Sequence, residues 1–141
     1  KAIRFKESDV RPMGRTARGV RGIKLQPDQT LISLIIPQDG ATILTATVNG
    51  YGQRTSLDAY RHIGRGGQGV QAIQTTARNG NVVGACQVSD DDEALMITTK
   101  GTMVRISVKE ISVIGRNTQG VRLIRLSTGE HLVGIEPVVD K

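Results

Sequence analysis

One segment occurs three times in this chain. Residues 2–25, 52–75 and 103–126 align without a gap, at intervals of 50 and 51 residues. Six columns hold the same residue in every copy: Arg4/Arg54/Arg105, Gly14/Gly64/Gly115, Arg15/Arg65/Arg116, Gly19/Gly69/Gly120, Val20/Val70/Val121 and Ile23/Ile73/Ile124. The stretches between copies match more loosely, with Leu31-Ile32 beside Val82-Val83 and Leu132-Val133. Such a period constrains the fold more than composition does, because each unit has to bury its apolar face against its neighbours.

Within a unit the local pattern is β. Ile3–Lys6, Leu31–Ile36, Ile43–Val48, Leu95–Thr99 and Met103–Val108 are short runs rich in β-branched residues. Turn signals separate them: Asp39-Gly40, Asn49-Gly50, Asn79-Gly80, Asp90–Asp92 and Lys100-Gly101. No stretch sustains a helical period over three turns. About four short strands per unit predict propeller-like blades. The expectation is an all-β, propeller-like assembly over residues 1–141, with units at approximately 1–50, 51–100 and 101–141. Three blades do not close a ring, so the chain reads as an arc or part of a larger wheel. It opens inside a strand-like run, which points to a longer polypeptide.

Gly64, Gly66 and Gly69 spell G-x-G-x-x-G, the outline of a dinucleotide fingerprint. That motif needs a strand before it and a helix after it to hold a pyrophosphate. The equivalent turns carry Thr16 and Asn117 in place of Gly66 and lead into the same apolar column, so one architecture tolerates loss of the central glycine. No Walker lysine follows. The reading is a structural turn, with no cofactor bound by this segment.

Charge follows the repeat. The chain carries 19 basic and 13 acidic residues, and the copies hold the excess: residues 1–25, 51–75 and 101–126 carry +6, +2 and +4, while each intervening stretch carries −2. Aromatic residues number three, too few for the stacking platforms of single-strand binders. A duplex backbone is the better match. Arg15, Arg65 and Arg116, each beside a glycine, are expected to reach phosphates, with Arg18, Arg21, Lys24, Arg122 and Arg125 alongside. Gly14, Gly64, Gly66, Gly67, Gly69 and Gly115 would let the backbone approach. Arg4, Arg54 and Arg105 lie in strands and read equally as structural or as strand-face contacts. Patches on a curved edge would bend a duplex, at a cost on the order of 1–6 kcal/mol for 20–30 bp. Contacts to phosphates carry no base information, so binding should ignore sequence.

No chemistry of its own is legible. Cys86 stands alone in an apolar setting and reads as a buried, reduced thiol. His62 and His131 lack metal-ligand spacing, and Asp90 to Glu93 read as a solvated loop. The longest aliphatic run, Leu34 to Ile36, is far short of a membrane helix.

The segments just described resemble the C-terminal domain of the bacterial gyrase A subunit, most closely at residues 113–126 and 63–75. The resemblance covers essentially the whole chain, and a Gly-Arg-x-x-x-Gly-Val turn with this period is more specific than any single glycine motif. It implies about three four-stranded blades, the last three, of a six-bladed β-pinwheel. It also implies wrapping of double-stranded DNA on a basic rim, in support of ATP-dependent negative supercoiling by the holoenzyme. The implied partners are gyrase B and the rest of the gyrase A subunit, in the bacterial cytoplasm, with no membrane association. The catalytic tyrosine and ATPase of that enzyme class would lie outside this segment. The family's Q-R-R-G-G-K-G box is kept only in part: Arg65, Gly66, Gly67 and Gly69 match, while Ile63, Gly64 and Gln68 depart from it. The related topoisomerase IV domain and a propeller-type protein-interaction scaffold are the alternative readings.

Overall fold

The strands form where β-branched runs meet the glycine turns. In a computed structural model, which describes residues 1–138, seven strands follow in chain order: β1 (Thr42–Thr47), β2 (Tyr51–Ser56), β3 (Val82–Val88), β4 (Glu93–Thr98), β5 (Met103–Ser107), β6 (Val121–Arg122) and β7 (Leu132–Val138). The helices among the described residues are three short 3-10 turns, Glu7–Asp9, Leu57–Ala59 and Val108–Glu110, one at the same place in each unit. None is long and apolar enough to cross a membrane.

Two antiparallel sheets result, ordered β3-β1-β2-β6 and β5-β4-β7. They are copies of one design. Leu44 faces Arg54 across β1–β2, and Leu95 faces Arg105 across β4–β5. The ladder slips at Ala46/Thr47 in the first sheet and at Ile97/Thr98 in the second. Asn49-Gly50 and Lys100-Gly101 close the two hairpins, as their turn chemistry predicts. The difference lies at one edge. β2 takes β6 from the following unit as a fourth strand, with Gly52 opposite Val121, whereas the second sheet has three strands among the described residues.

The core fills the space between the sheets. Leu44, Met96, Leu132, Val88 and Val108 are fully buried there, with Ile124 of the repeat column close by. Burying side chains of this size is worth about 1.5–3 kcal/mol each. Cys86 belongs to the same cluster. Burial, aided by Glu136 and Asp92, pushes its thiol up to about 12, so it is an inert packing group.

Two predicted strands do not form. Around residues 3–6 there are only isolated bridges, Ala2 to Val70 and Arg4 to His62, and residues 31–36 carry no ladder. In the other units the corresponding segments, β2 and β3 or β5 and β7, pair with a central strand, β1 or β4. No described residues occupy that central place in the first unit, and a β run without a ladder partner leaves its backbone to solvent. Residues 33–38 lie along β3 instead. Ser33 Oγ accepts from the Ala85 amide at 3.2 Å, and Gln87 Nε2 donates to the Ile36 carbonyl at 3.1 Å. Leu34 and Ile36 stay more than four-fifths exposed.

Candidate nucleic-acid interface

The shared columns meet at the seams between units, and both seams are built alike. At the first, the Ile63 amide donates to the Arg4 carbonyl at 2.8 Å and the Lys24 amide to the Gly67 carbonyl at 2.7 Å. At the second, Ile114 donates to Arg54 at 2.8 Å and Gln74 to Thr118 at 2.7 Å. Every one of these residues is shifted by one repeat from its counterpart.

Arginines staple each seam from both sides. Reaching forward, Arg4 Nη1 donates to the Leu57 and Tyr60 carbonyls, both at 3.0 Å, and Arg54 Nη1 donates to Val108 at 3.4 Å and Ile111 at 3.2 Å. These acceptors are the first residue of the next unit's 3-10 turn and the residue that follows the turn. Reaching backward, Arg65 donates from Nε to the Asp9 carbonyl at 3.0 Å and from Nη1 to Arg21 at 3.1 Å. Arg116 donates from Nε to Ala59 at 2.9 Å and from Nη1 to Gln71 at 2.7 Å. Hydrogen bonds from a charged donor are about twice as strong as neutral ones, which suits them to hold one unit against the next.

These placements correct several expectations. Arg54 is 4% exposed, hydrogen-bonded to Thr42 Oγ1 and paired with Asp90 as well, so it presents no strand face to a ligand. Arg65 and Arg116 do recur at equivalent places, but they are half-buried and point into the seam, with Nε and Nη1 spent on carbonyls. Arg4 is likewise half-buried in the seam, and its Nε is buried without a hydrogen-bond partner among the described residues. Arg105 is exposed and pairs with Glu93. Arg15 is exposed. Gly69, expected to admit an external backbone, is filled by an internal one: a Cβ there would strike the Ala2 carbonyl, and at Gly120 it would strike Gly52. Gly14, Gly64 and Gly115 face open space, Gly66 lies near the Arg21 carbonyl and Gly67 near Ile3.

The acidic run begins in the exposed turn between β3 and β4, as expected of a solvated loop, and its carboxylates also find partners. Asp90 neutralises Arg54, Asp91 pairs with Lys109 at 2.8 Å, Glu93 pairs with Arg105, and Asp92 accepts from the Ser89 amide at 2.8 Å. The Asp91–Lys109 hydrogen bond holds that carboxyl below its ordinary range and the ammonium above its own. Among the described residues no cluster of His, Cys, Asp and Glu could hold a metal ion.

Twelve exposed cations have no carboxylate partner among the described residues, and five of them flank two of the Gly-Val pairs. Arg18, Arg21 and Lys24 flank the first Gly-Val pair, and Arg122 and Arg125 follow the third. The third group has a feature the repeat did not disclose. Arg78 lies 4.3 Å from the centre of the Tyr51 ring and Arg122 lies 5.3 Å from it, with Arg122 Nη2 donating to the Tyr51 hydroxyl at 2.8 Å. That hydrogen bond, and behind it the two positive charges, hold the phenol below its usual range. A groove lined by Asn49, Tyr51, Arg122 and Arg125 opens beside them. Two guanidinium groups sharing one aromatic ring make a positive, donor-rich surface suited to a phosphate. Arg78 precedes the Asn79-Gly80 turn and sits outside the repeated columns, so nothing in the repeat pattern pointed to it.

Comparison with known proteins agrees with this architecture. The sequence profile of the family described as "DNA gyrase C-terminal domain, beta-propeller" matches residues 1–38, 41–88 and 92–138. The DNA gyrase A subunit of Salmonella typhimurium strain LT2 is 57% identical over 140 residues, and that of Escherichia coli K12 is 52% identical over 140. In both cases 99% of this chain is covered but 16% of the relative, so the chain spans about a sixth of their length. A solved gyrase A C-terminal domain superposes with a TM-score of 0.86 at 26% identity, covering 96% of this chain and 46% of that one. A topoisomerase IV C-terminal domain shares the fold at TM-score 0.87 and 24% identity, over 95% of this chain and 42% of that one.

Proposed function

Because the chain belongs to the DNA gyrase C-terminal beta-propeller family, we propose that it binds duplex DNA without regard to sequence and bends it along its outer surface. In this reading it is the DNA-wrapping part of a gyrase A polypeptide and serves ATP-dependent negative supercoiling by a holoenzyme that includes gyrase B. It contributes no cofactor and no bond-breaking step, and it works in the bacterial cytoplasm. Strand cleavage and ATP hydrolysis belong to other segments.

The observation that carries the reading is where the unspent charge lies. Once the seam arginines and the three ion pairs are set aside, twelve exposed cations remain among the described residues, and five of them, Arg18, Arg21, Lys24, Arg122 and Arg125, flank the first and third Gly-Val pairs. Cations not neutralised by carboxylates can each displace a condensed counterion from a duplex, and log affinity then falls with log salt by about 0.9 per phosphate engaged. Five such contacts give a slope of about −4 to −5.

The test replaces all five residues by alanine and titrates unrelated duplexes at several salt concentrations. Affinity should drop by a similar factor for every sequence, and the slope should flatten towards zero. An unchanged slope would remove these residues from the interface.

A further inference from the structure

Resting on the DNA-binding reading above, we propose that the chain grips duplex DNA at two separated patches, with the middle unit as a neutral span between them. Three positions around each Gly-Val pair form aligned columns. They read Arg18, Arg21 and Lys24 in the first unit, Gln68, Gln71 and Gln74 in the second, and Gln119, Arg122 and Arg125 in the third. The columns of the first two units are equivalent in space as well as in sequence. The Arg21 carbonyl takes Arg65 just as the Gln71 carbonyl takes Arg116, and the Lys24 amide meets Gly67 just as the Gln74 amide meets Thr118.

From matched backbone positions the first unit therefore projects three positive charges, the second none and the third two. The glutamines also turn back onto the chain: Gln71 Nε2 donates to the Ile73 carbonyl at 3.3 Å, and Gln74 Nε2 donates to Asn117 Oδ1 at 3.2 Å. Little else in the middle unit compensates. Of its basic residues between 51 and 75, Arg54 is buried and paired and Arg65 is stapled into the seam. Arg61 is exposed, but it precedes the Gly-Arg turn, outside the three columns. On the far side of the gap, Arg78 leans towards the third unit. It donates to the Gln119 carbonyl at 3.1 Å and joins Arg122 at Tyr51, which strengthens the third-unit patch.

The consequence is bivalence. The seams hold the patches at a fixed separation, and a duplex is stiff over about 150 bp, so the partner is a duplex long enough to touch both. A fragment of about one helical turn, 10 bp, engages one patch at a time. The phosphates opposite the middle unit keep their counterions.

Phosphate-ethylation interference on a duplex of about 30 bp should show two blocks separated by a silent stretch with the natural chain. In the variant Gln68→Arg/Gln71→Arg/Gln74→Lys the silent stretch should fill in. Binding of the longer duplex should tighten, and its salt slope should steepen by about 2 to 3. A single continuous block with the natural chain, or an unchanged slope in the variant, overturns the two-patch grip while leaving DNA binding in place. Absence of salt-dependent binding by either protein overturns both.

Discussion

Arg54 and Arg18 share a residue type and little else. The Arg54 guanidinium is enclosed by the Val108 and Ile111 carbonyls, Thr42 Oγ1 and Asp90, while Arg18 stands in solvent. Arg54→Ala removes a charged donor from two buried carbonyls and leaves Asp90 unpaired. We expect a loss of about 2–4 kcal/mol, read as a lower urea midpoint at unchanged slope. Arg18→Ala should stay within about 0.5 kcal/mol of the parent. Equal effects would show that the forward-reaching arginine is no staple. The sequence placed Arg4, Arg54 and Arg105 in strands but left open what their side chains meet. For Arg4 and Arg54 the acceptors are backbone oxygens of a turn more than fifty residues away, and any residue type supplies a carbonyl, so no side-chain pattern announces them.

At the level of elements, the Gly-Val pair is the piece that joins units. Val121 enters the sheet beside β2, and the glycine before it has φ +72° and packs on the Gly52 backbone; Gly69 has φ +78° and packs on Ala2. A side chain at either position meets both a left-handed backbone, costing about 1–2 kcal/mol, and a collision with a carbonyl. Gly69→Ala and Gly120→Ala should each lower the melting temperature by several degrees, whereas Gly64→Ala and Gly115→Ala, which face open space, should leave it nearly unchanged. Equal shifts for all four would refute the assignment. The hairpins β1–β2 and β4–β5 were legible because an Asn-Gly or Lys-Gly turn between β-branched runs is a local signal. The segments at 3–6 and 31–36 carry the same local signal and form no sheet. Strand character needs a partner in register, and no described strand lies between these two segments as β1 and β4 lie between theirs.

Over the whole molecule, the two seams set the angle between units and hence the path offered to a duplex. Arg65 and Arg116 sit at matching places in those seams without belonging to the cationic patches. Loosening both by alanine should therefore change geometry more than contact. When closed circular DNA is relaxed with the chain bound, the shift in linking number should shrink, while affinity for a one-turn duplex stays within about twofold. A full-sized shift from the double variant would show that the staples do not set the path. The repeat period, the all-β class, the glycine turns and the concentration of basic charge could all be read from the chain alone, since each is a local pattern or a sum over neighbouring residues. Which cations are free could not. An arginine stapled to carbonyls 44 to 57 residues away and one left in water look the same in an aligned column. Only the packing of one unit on the next separates them, because a charged side chain is used up by whatever acceptors the fold brings within about 3 Å of it.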